Sequence, residues 1–298
     1  MAPQHPTFSI IIPTYARPQQ LAACLHSLAR LDYPRERFEV IVVDDGSESP
    51  PEAVVDSCRD QLDVALIRQP HAGPATARNT GVARAKGELL AFTDDDCAPA
   101  PDWLQTLAAR FAHTPDRVIG GRTLNALSDN LYSTASQTLI SYLYAYYNAD
   151  PDHARFFASN NLALSAERFR AVGGFDSTVI RAAAEDREFC DRWLHHGYLM
   201  TYAPEAIVYH AHALTFRAFW RQHFSYGRGA FYFHQAHARR SRGHIRPEPL
   251  SFYLDLLRYR SSQMSGRRAL SLAMLLGVSQ VANAAGFFWE WGRRPGRG

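Results

Sequence analysis

Three carboxylates stand side by side at Asp94, Asp95 and Asp96, with one residue between them and the apolar run Leu89–Phe92. Like charges within one turn of chain repel one another and lower local stability unless solvent or a cation neutralises them. Asp94 and Asp96 offer hard oxygen atoms in a D-x-D spacing. Mg2+ and Mn2+ suit such a pair, because they take one or two carboxylates together with phosphate oxygens and water rather than a complete protein cage. A cation held there is ready for a diphosphate; the alternative is an acidic loop that is merely solvated. The chain has no Walker A loop and no G-x-G-x-x-G, which removes the P-loop and dinucleotide routes to a phosphate grip.

Two further acidic pairs have chemistry open to them. Asp45, after Asp44, can accept the imide or amide N–H of a nucleobase, with Thr14 and Tyr15 close by and the Tyr15 ring available for stacking. The D-D-G-S sequence also suits a plain turn. Glu185 and Asp186 precede a helical pattern, where a helix N-terminus stabilises acids. One of them could equally be the general base that takes a proton from an attacking hydroxyl. Arg78 and Asn79, in "AGPATARNTG", fall on a helix that reaches the same region and could meet a nucleotide, or they could face solvent.

The elements that must position these groups are legible as short β-branched or apolar runs at Phe8–Ile12, Phe38–Val43, Asp63–Ile67 and Glu88–Thr93. Helical stretches, Pro18–Leu31, Pro51–Leu62 and Pro74–Ala85, lie between them at crossover length. This alternation predicts a parallel sheet in an α/β layer, with ligands gathering at the carboxyl ends of the strands. "PTYARP", "DDGS" and "DDD" each follow a strand, so all three fall on one rim, and the solvated-loop reading loses ground. Further on, Leu131–Asp150 reads as a Tyr-rich helix, Ala182–Gly197 as a helix ending at a glycine cap, and Ala206–His212 as a strand.

Composition bounds the rest. The 298 residues are 46% hydrophobic, enough for a globular core. Cys24, Cys58, Cys97 and Cys190 match no zinc or redox spacing, and the N-terminus carries no secretory pattern, so a cytoplasmic setting is expected. The net charge of +3 conceals an asymmetry, because residues 215–298 hold 14 arginines against three acids. Within them, Ala269–Trp291 runs almost uncharged, with Arg267 and Arg268 before it, Arg293, Arg294 and Arg297 after it, and Phe287, Phe288, Trp289 and Trp291 at one end. Such a segment suits a membrane span, an interfacial helix or a helix packed on the core. Nucleic acid is a poorer partner, since these arginines flank an apolar run rather than a polar, aromatic face.

The series "IIIPTYARP", "VIVVDDGS", "GPATARNTG", "FTDDD", "VGGFD", "EDREFCDRW" and "VYHAH" resembles the family 2 glycosyltransferases, inverting enzymes of the GT-A fold. The likeness runs roughly from Phe8 to Gly229 with the motif order intact. It implies an α/β fold with a mostly parallel central sheet flanked by helices, here followed by a C-terminal helical extension from residue 230. It also implies a nucleotide-binding set of Pro13, Thr14, Tyr15, Asp45, Arg78, Asn79 and Asp95, in which Asp45 holds uracil. Asp96 becomes the metal ligand, joined by Asp94 or Asp95, directly or through water, and by His210, with His212 as the second choice of histidine. Asp186 becomes the base and Glu185 its neighbour. The sequence departs from the family's pattern at Ala16, where Asn is common, and at Ala184, where Gly is frequent. It also lacks the Q-x-x-R-W motif of the polymerising members, which favours transfer of a single sugar. The expectation is an inverting, Mn2+- or Mg2+-dependent transferase moving one sugar from a nucleotide diphosphate sugar, UDP favoured, to a glycan or lipid-linked acceptor at the cytoplasmic face of a membrane. A sugar-nucleotide nucleotidyltransferase is disfavoured because "PTYARP" has neither the glycines nor the lysine its N-terminal loop needs. A non-catalytic nucleotide- or membrane-binding module would need neither base nor metal.

Overall fold

The computed structural model describes residues 6–178, 184–241, 248–259 and 266–293. Phe8–Thr14 (β1), Phe38–Asp44 (β2), Val64–Arg68 (β3) and Leu89–Phe92 (β4) form the parallel part of an eight-stranded sheet. They are joined through Pro18–Leu28 (α1), Glu52–Asp56 (α2) and Pro74–Arg84 (α3). Cys97–Pro99 (β5), Val118–Asn125 (β6), Leu162–Ser165 (β7) and Met200–His210 (β8) complete the order β3-β2-β1-β4-β7-β6-β8-β5. β7 runs antiparallel to β4 and β6, β5 runs antiparallel to β8, and β6 pairs parallel with β8.

Alternation along the buried strands sorts side chains onto two faces. Phe8, Ile10, Ile12, Val40 and Val42 pack with Leu21 and Leu25 of α1 and with Trp103 and Leu107 of Trp103–His113 (α4). Ile11, Ile41, Val43, Leu90 and Phe92 pack on the other side with Ala77 and Val82 of α3 and Phe169 of Ala166–Val172 (α6). Phe189 and Trp193 of Glu185–His195 (α7) join that second layer.

The four leading strands, α1 and α3 lie where the sequence predicts them, within a few residues. The segment Pro51–Leu62 does not form one helix: α2 spans five residues, and Cys58–Leu62 continues in turns, with the Gln61 and Leu62 N–H groups both donating to the Cys58 carbonyl. The sequence predicts helix from residue 230 on, and Phe216–Ser241 (α8) is a 26-residue helix that begins well before that point. α8 runs unbroken through the 229/230 division, so the C-terminal extension grows out of a helix rather than a linker. Leu131–Tyr147 (α5), α8, Leu250–Arg258 (α9) and Arg267–Gly292 (α10) share a third core of Ala135, Leu139, Tyr142, Phe219, Phe252, Leu256, Leu272 and Leu276. Arg294 and Arg297 lie outside the described residues.

Candidate active site

Register brings the chemistry-bearing residues together. Thr14 pairs with Asp44 across β1 and β2, and β4 ends beside β1, so the Thr14, Asp45 and Asp94–Asp96 segments emerge on one rim. Cys97 of β5 and Asn125 of β6 both pair with His210 of β8, which sets His210 next to Asp96. The N-terminus of α7 and one face each of α5 and α8 close an open pocket of about 440 Å³ over this rim. That volume suits a small-molecule ligand.

On the acidic side, every carboxylate of the triad has a different environment. Asp94 accepts a hydrogen bond from Arg78 Nη2 at 2.7 Å. Asp95 is fully buried, accepts from Thr14 Oγ1 at 2.7 Å and lies 2.7 Å from Arg17 Nη2. Asp96 meets Arg17 Nη1 at 2.8 Å through one oxygen and His210 Nε2 at 3.2 Å through the other. Burial pushes the Asp95 carboxyl up to about 7, against the pull of Arg17 and Thr14. Burial acts on Asp96 in the same sense, but His210 and Arg17 outweigh it and hold this group well below the usual carboxylate range. The crowding seen in the sequence is thus offset by two arginines, of which Arg17 was missed there although it stands in the "PTYARP" motif.

The opposite acidic pair sits at the start of α7, where the helix dipole favours negative charge. Glu185 accepts from the Ala184 N–H at 3.1 Å and lies 3.3 Å from Arg78 Nη1, so the buried Arg78 ties the triad to the α7 pair. Asp186 faces the pocket with Oδ1 buried and unpartnered. Burial and the adjacent Glu185 raise its pKa far above the ordinary range, and Arg78 and Ser159 only partly offset them. A buried acceptor atom without a protein donor is a place where a ligand hydroxyl can donate.

Asp45 lines the pocket, but its carboxylate is already engaged by Gln69 Nε2, His71 Nδ1 and the N–H groups of Ala72 and Gly73 at 2.7–2.9 Å. It therefore organises the loop between β3 and α3, and a nucleobase would compete with the exposed His71 for it. Tyr15 and His71 meet at the rim with ring centroids 4.5 Å apart and planes tilted by 35°. Ala16, next to Tyr15, has φ +54°, a conformation that Asn or Gly adopts with less strain and that accounts for the asparagine common at this place.

Two residues expected at the nucleotide lie outside the pocket lining. Asn79 holds Phe175 with both ends of its amide, at 2.8 and 2.9 Å, and does not line the pocket; it joins α3 to the turn at Gly173–Phe175. Asp95 lies beneath the pocket and acts on it only through Thr14 and Arg17. Pro13, Thr14, Tyr15, Arg78, Asp94, Asp96, Glu185, Asp186, His210 and His212 all line it.

The far wall is neutral: Asn125, Ser133, Ser136, Gln137, Ser159, Asn160, Gln222 and Tyr226. It was illegible in the sequence because its residues come from β6, α5, the turn before β7 and α8. Trp103 Nε1 donates to Asn161 Oδ1 at 2.9 Å, and the Asn161 amide donates to the Ala206 carbonyl at 2.9 Å, which fixes the Ser159–Asn161 turn. A Cβ on Gly121 would lie 2.2 Å from that same carbonyl oxygen, so only glycine fits there.

The residues present fit a divalent ion. Asp96 and His210 offer an oxygen and an imidazole nitrogen within 4.8 Å of each other and of Cys97 Sγ, a mixed set that Mn2+ accepts. Five carboxylates against two arginines leave room for further positive charge. Asp94 is turned to Arg78, so it would have to exchange that partner to join the ion.

A parallel α/β rim with an acidic, metal-competent pocket on one side and a buried carboxylate facing a neutral wall on the other defines a nucleotide-sugar transferase of the GT-A kind. The sequence profile of glycosyl transferase family 2 matches residues 9–173, and the chain belongs to that family. It is 27% identical over 227 residues to the glycosyltransferase AglE of Haloferax volcanii, covering 75% of this chain and 73% of that one. It is 30% identical over 220 residues to the pre-mycofactocin glycosyltransferase of Mycobacterium tuberculosis, covering 72% of this chain and 45% of the relative, so it spans about half the length of that protein. In fold it is similar to the mannosyltransferase PcManGT of Pyrobaculum calidifontis, solved with GDP-Man and Mn2+ (TM-score 0.67, 20% identity, 97% of this chain and 88% of that one). It is also similar to Staphylococcus aureus TarS 1–349 solved with UDP (TM-score 0.56, 17% identity, 96% of this chain and 92% of that one).

Proposed function

We propose that the protein moves a single sugar from a UDP-sugar to a hydroxyl of a glycan acceptor, with inversion at the anomeric carbon, in cell-surface glycan or polysaccharide synthesis. The observation that carries this reading is Asp186, which lines the same pocket as the acidic rim and the neutral wall and whose Oδ1 has no hydrogen-bond partner. An acceptor hydroxyl hydrogen-bonded there loses its proton to Oδ1 as its oxygen attacks the anomeric carbon from the face opposite the diphosphate. Arg78 keeps Glu185 in place beside the base.

Asp96 and His210, with Asp94 joining them, would hold Mn2+ or Mg2+, which supplies positive charge against the charge developing on the leaving diphosphate. Tyr15 and His71 offer ring faces to the base, and Asp45 an acceptor for its N–H. The amides and hydroxyls of the neutral wall suit the hydroxyls of a sugar. The basic C-terminal segment supports an acceptor presented at the cytoplasmic face of a membrane, such as a lipid-linked glycan. A non-catalytic nucleotide-binding module has no use for a buried, unpaired carboxylate.

The test is nucleotide release from a panel of UDP- and GDP-sugars with Mn2+ and with chelator, and the anomeric configuration of the product by NMR. We expect UDP release that requires the metal and a product inverted at the transferred sugar. A retained configuration sinks the role of Asp186, turnover of GDP-sugars alone sinks the uracil assignment, and no turnover of any donor sinks the enzyme reading.

A further inference from the structure

α10 is built inside out. Ser279, Gly286 and Glu290 are buried on its inner face along with Leu272, Leu276 and Ala282. Leu270, Met274, Val281 and Phe288 are 57–65% exposed on the outer one. At about 100° per residue these four fall within roughly 40° of a single line, directly opposite the buried set. Trp289 and Trp291 are exposed near its C-terminal end, and no charged residue stands between Arg268 and Glu290. A helix facing water normally carries charged side chains outward. Long and apolar enough to cross a membrane by composition, this one has an outer face made for a non-aqueous phase.

The inner face cannot be given up to let the helix cross. A Cβ on Gly227 of α8 would lie 1.8 Å from the Asn283 carbonyl oxygen, and one on Gly286 would lie 2.0 Å from that of Phe224, so the two backbones touch where they cross. Glu290 accepts hydrogen bonds from Arg228 Nε at 2.5 Å and Tyr232 Oη at 2.9 Å. Stripping α10 from α8 would leave this carboxylate unpaired in hydrocarbon. Both ends meet the charge requirement of an anionic surface: Arg267 and Arg268 are exposed at the start, and the Arg293 guanidinium lies over the Trp289 ring, 5.3 Å from its centroid.

We propose that α10 lies in the plane of a bilayer containing anionic lipid, with its outer stripe sunk into the boundary between headgroups and acyl chains, and does not cross it. Leu250, Leu254 and Leu257 of the neighbouring α9, exposed at i, i+4 and i+7, add a second apolar edge. α8 carries α10 on one face and turns Gln222 and Tyr226 into the pocket on another. The seam therefore places the acceptor wall roughly two helix diameters, about 20 Å, from the docked surface. This orientation deepens the membrane-presented reading above, but it does not depend on the donor chemistry.

The test is co-sedimentation of the full chain with vesicles of phosphatidylcholine alone or mixed with phosphatidylglycerol, followed by alkaline carbonate extraction. Trp289 and Trp291 fluorescence is read with lipids brominated near the headgroup or near the chain end. We expect binding only to the mixed vesicles, release by carbonate, and stronger quenching from the shallow bromines. The double variant Met274→Glu, Val281→Glu should bind at least tenfold more weakly while keeping its thermal melt and its affinity for UDP, which separates this inference from the donor assignment. Carbonate-resistant insertion with deep quenching overturns it in favour of a span. Vesicle binding untouched by the double variant overturns it, as does a dimer in solution that the double variant dissociates, since a second copy would then cover the stripe.

Discussion

Asp186→Asn is expected to lower the rate of sugar transfer about a thousandfold while leaving UDP affinity unchanged and raising thermal stability. The activity loss is the cost of removing a positioned general base. The stability gain follows from the pKa of Asp186, which burial and then Glu185 raise far above its unfolded value. Between those two values the folded protein binds a proton that the unfolded chain has already released, so stability falls as pH rises through the window. Asparagine carries no charge to desolvate. The gain in Tm over the wild type should therefore be small near pH 4 and reach its full size above neutrality. For the same reason the wild-type rate should fall on the acid side with an apparent pKa displaced toward neutrality. Stopped-rate assays and melts from pH 4 to 8 check both. A variant that keeps its activity, or an acid limb in the ordinary carboxylate range, would remove Asp186 from the role of base.

Arg78→Met is expected to cost about 3–5 kcal/mol, the usual penalty for breaking a buried ion pair from one side. The guanidinium is buried and spans Asp94 at 2.7 Å and Glu185 at 3.3 Å, and it also offsets the charge of Asp186. Burial alone would weaken its charge, but Asp94, Asp186 and Glu185 together reverse that and raise its pKa. Without it the acidic rim and the α7 pair face each other uncompensated. For a chain of this size the loss corresponds to a fall in Tm on the order of 10 °C. The deficit should shrink in acid, as the carboxylates that repel one another take up protons. Arg78→Lys restores one charge but not the two-pronged reach, so it should recover part of the loss. Melting curves at pH 5 and 8 decide it: a fall in Tm of equal size at both would mean that Arg78 acts through packing instead.

The sheet was readable because β1, β2 and β4 are mostly apolar runs, broken only by Ser9 and Glu39, that stop at polar motifs, and the parallel register then carries Thr14, Asp45 and Asp94–Asp96 to one rim. β6 escaped because Gly120 and Gly121 interrupt it. The acidic residues of the site were legible by type and spacing. Their pairing was not, since Arg17 reaches Asp95 and Asp96 from 78 and 79 positions away, and Gln69–Gly73 saturate Asp45 from more than 20 residues along the chain. Asn79 shows the opposite failure: a polar residue beside a functional arginine points to the other side of its helix, because neighbours on a helix do not share a face. α8 could have been found from Phe216, Phe219, His223 and Gly227, which recur at helical spacing, and finding it would have shown that the catalytic and C-terminal parts share one helix.

Metal-dependent nucleotide binding at Asp96 is the step on which the donor chemistry rests. It is tested most directly by calorimetric titration of UDP into the purified protein with Mn2+ and with chelator, repeated on Asp96→Ala. UDP should bind with Mn2+, bind far more weakly with chelator, and show no metal-dependent component in the variant. Equal affinity with and without metal, or no binding of UDP under any condition, would contradict the assignment and leave Arg17, Arg78 and His210 as the partners of the triad.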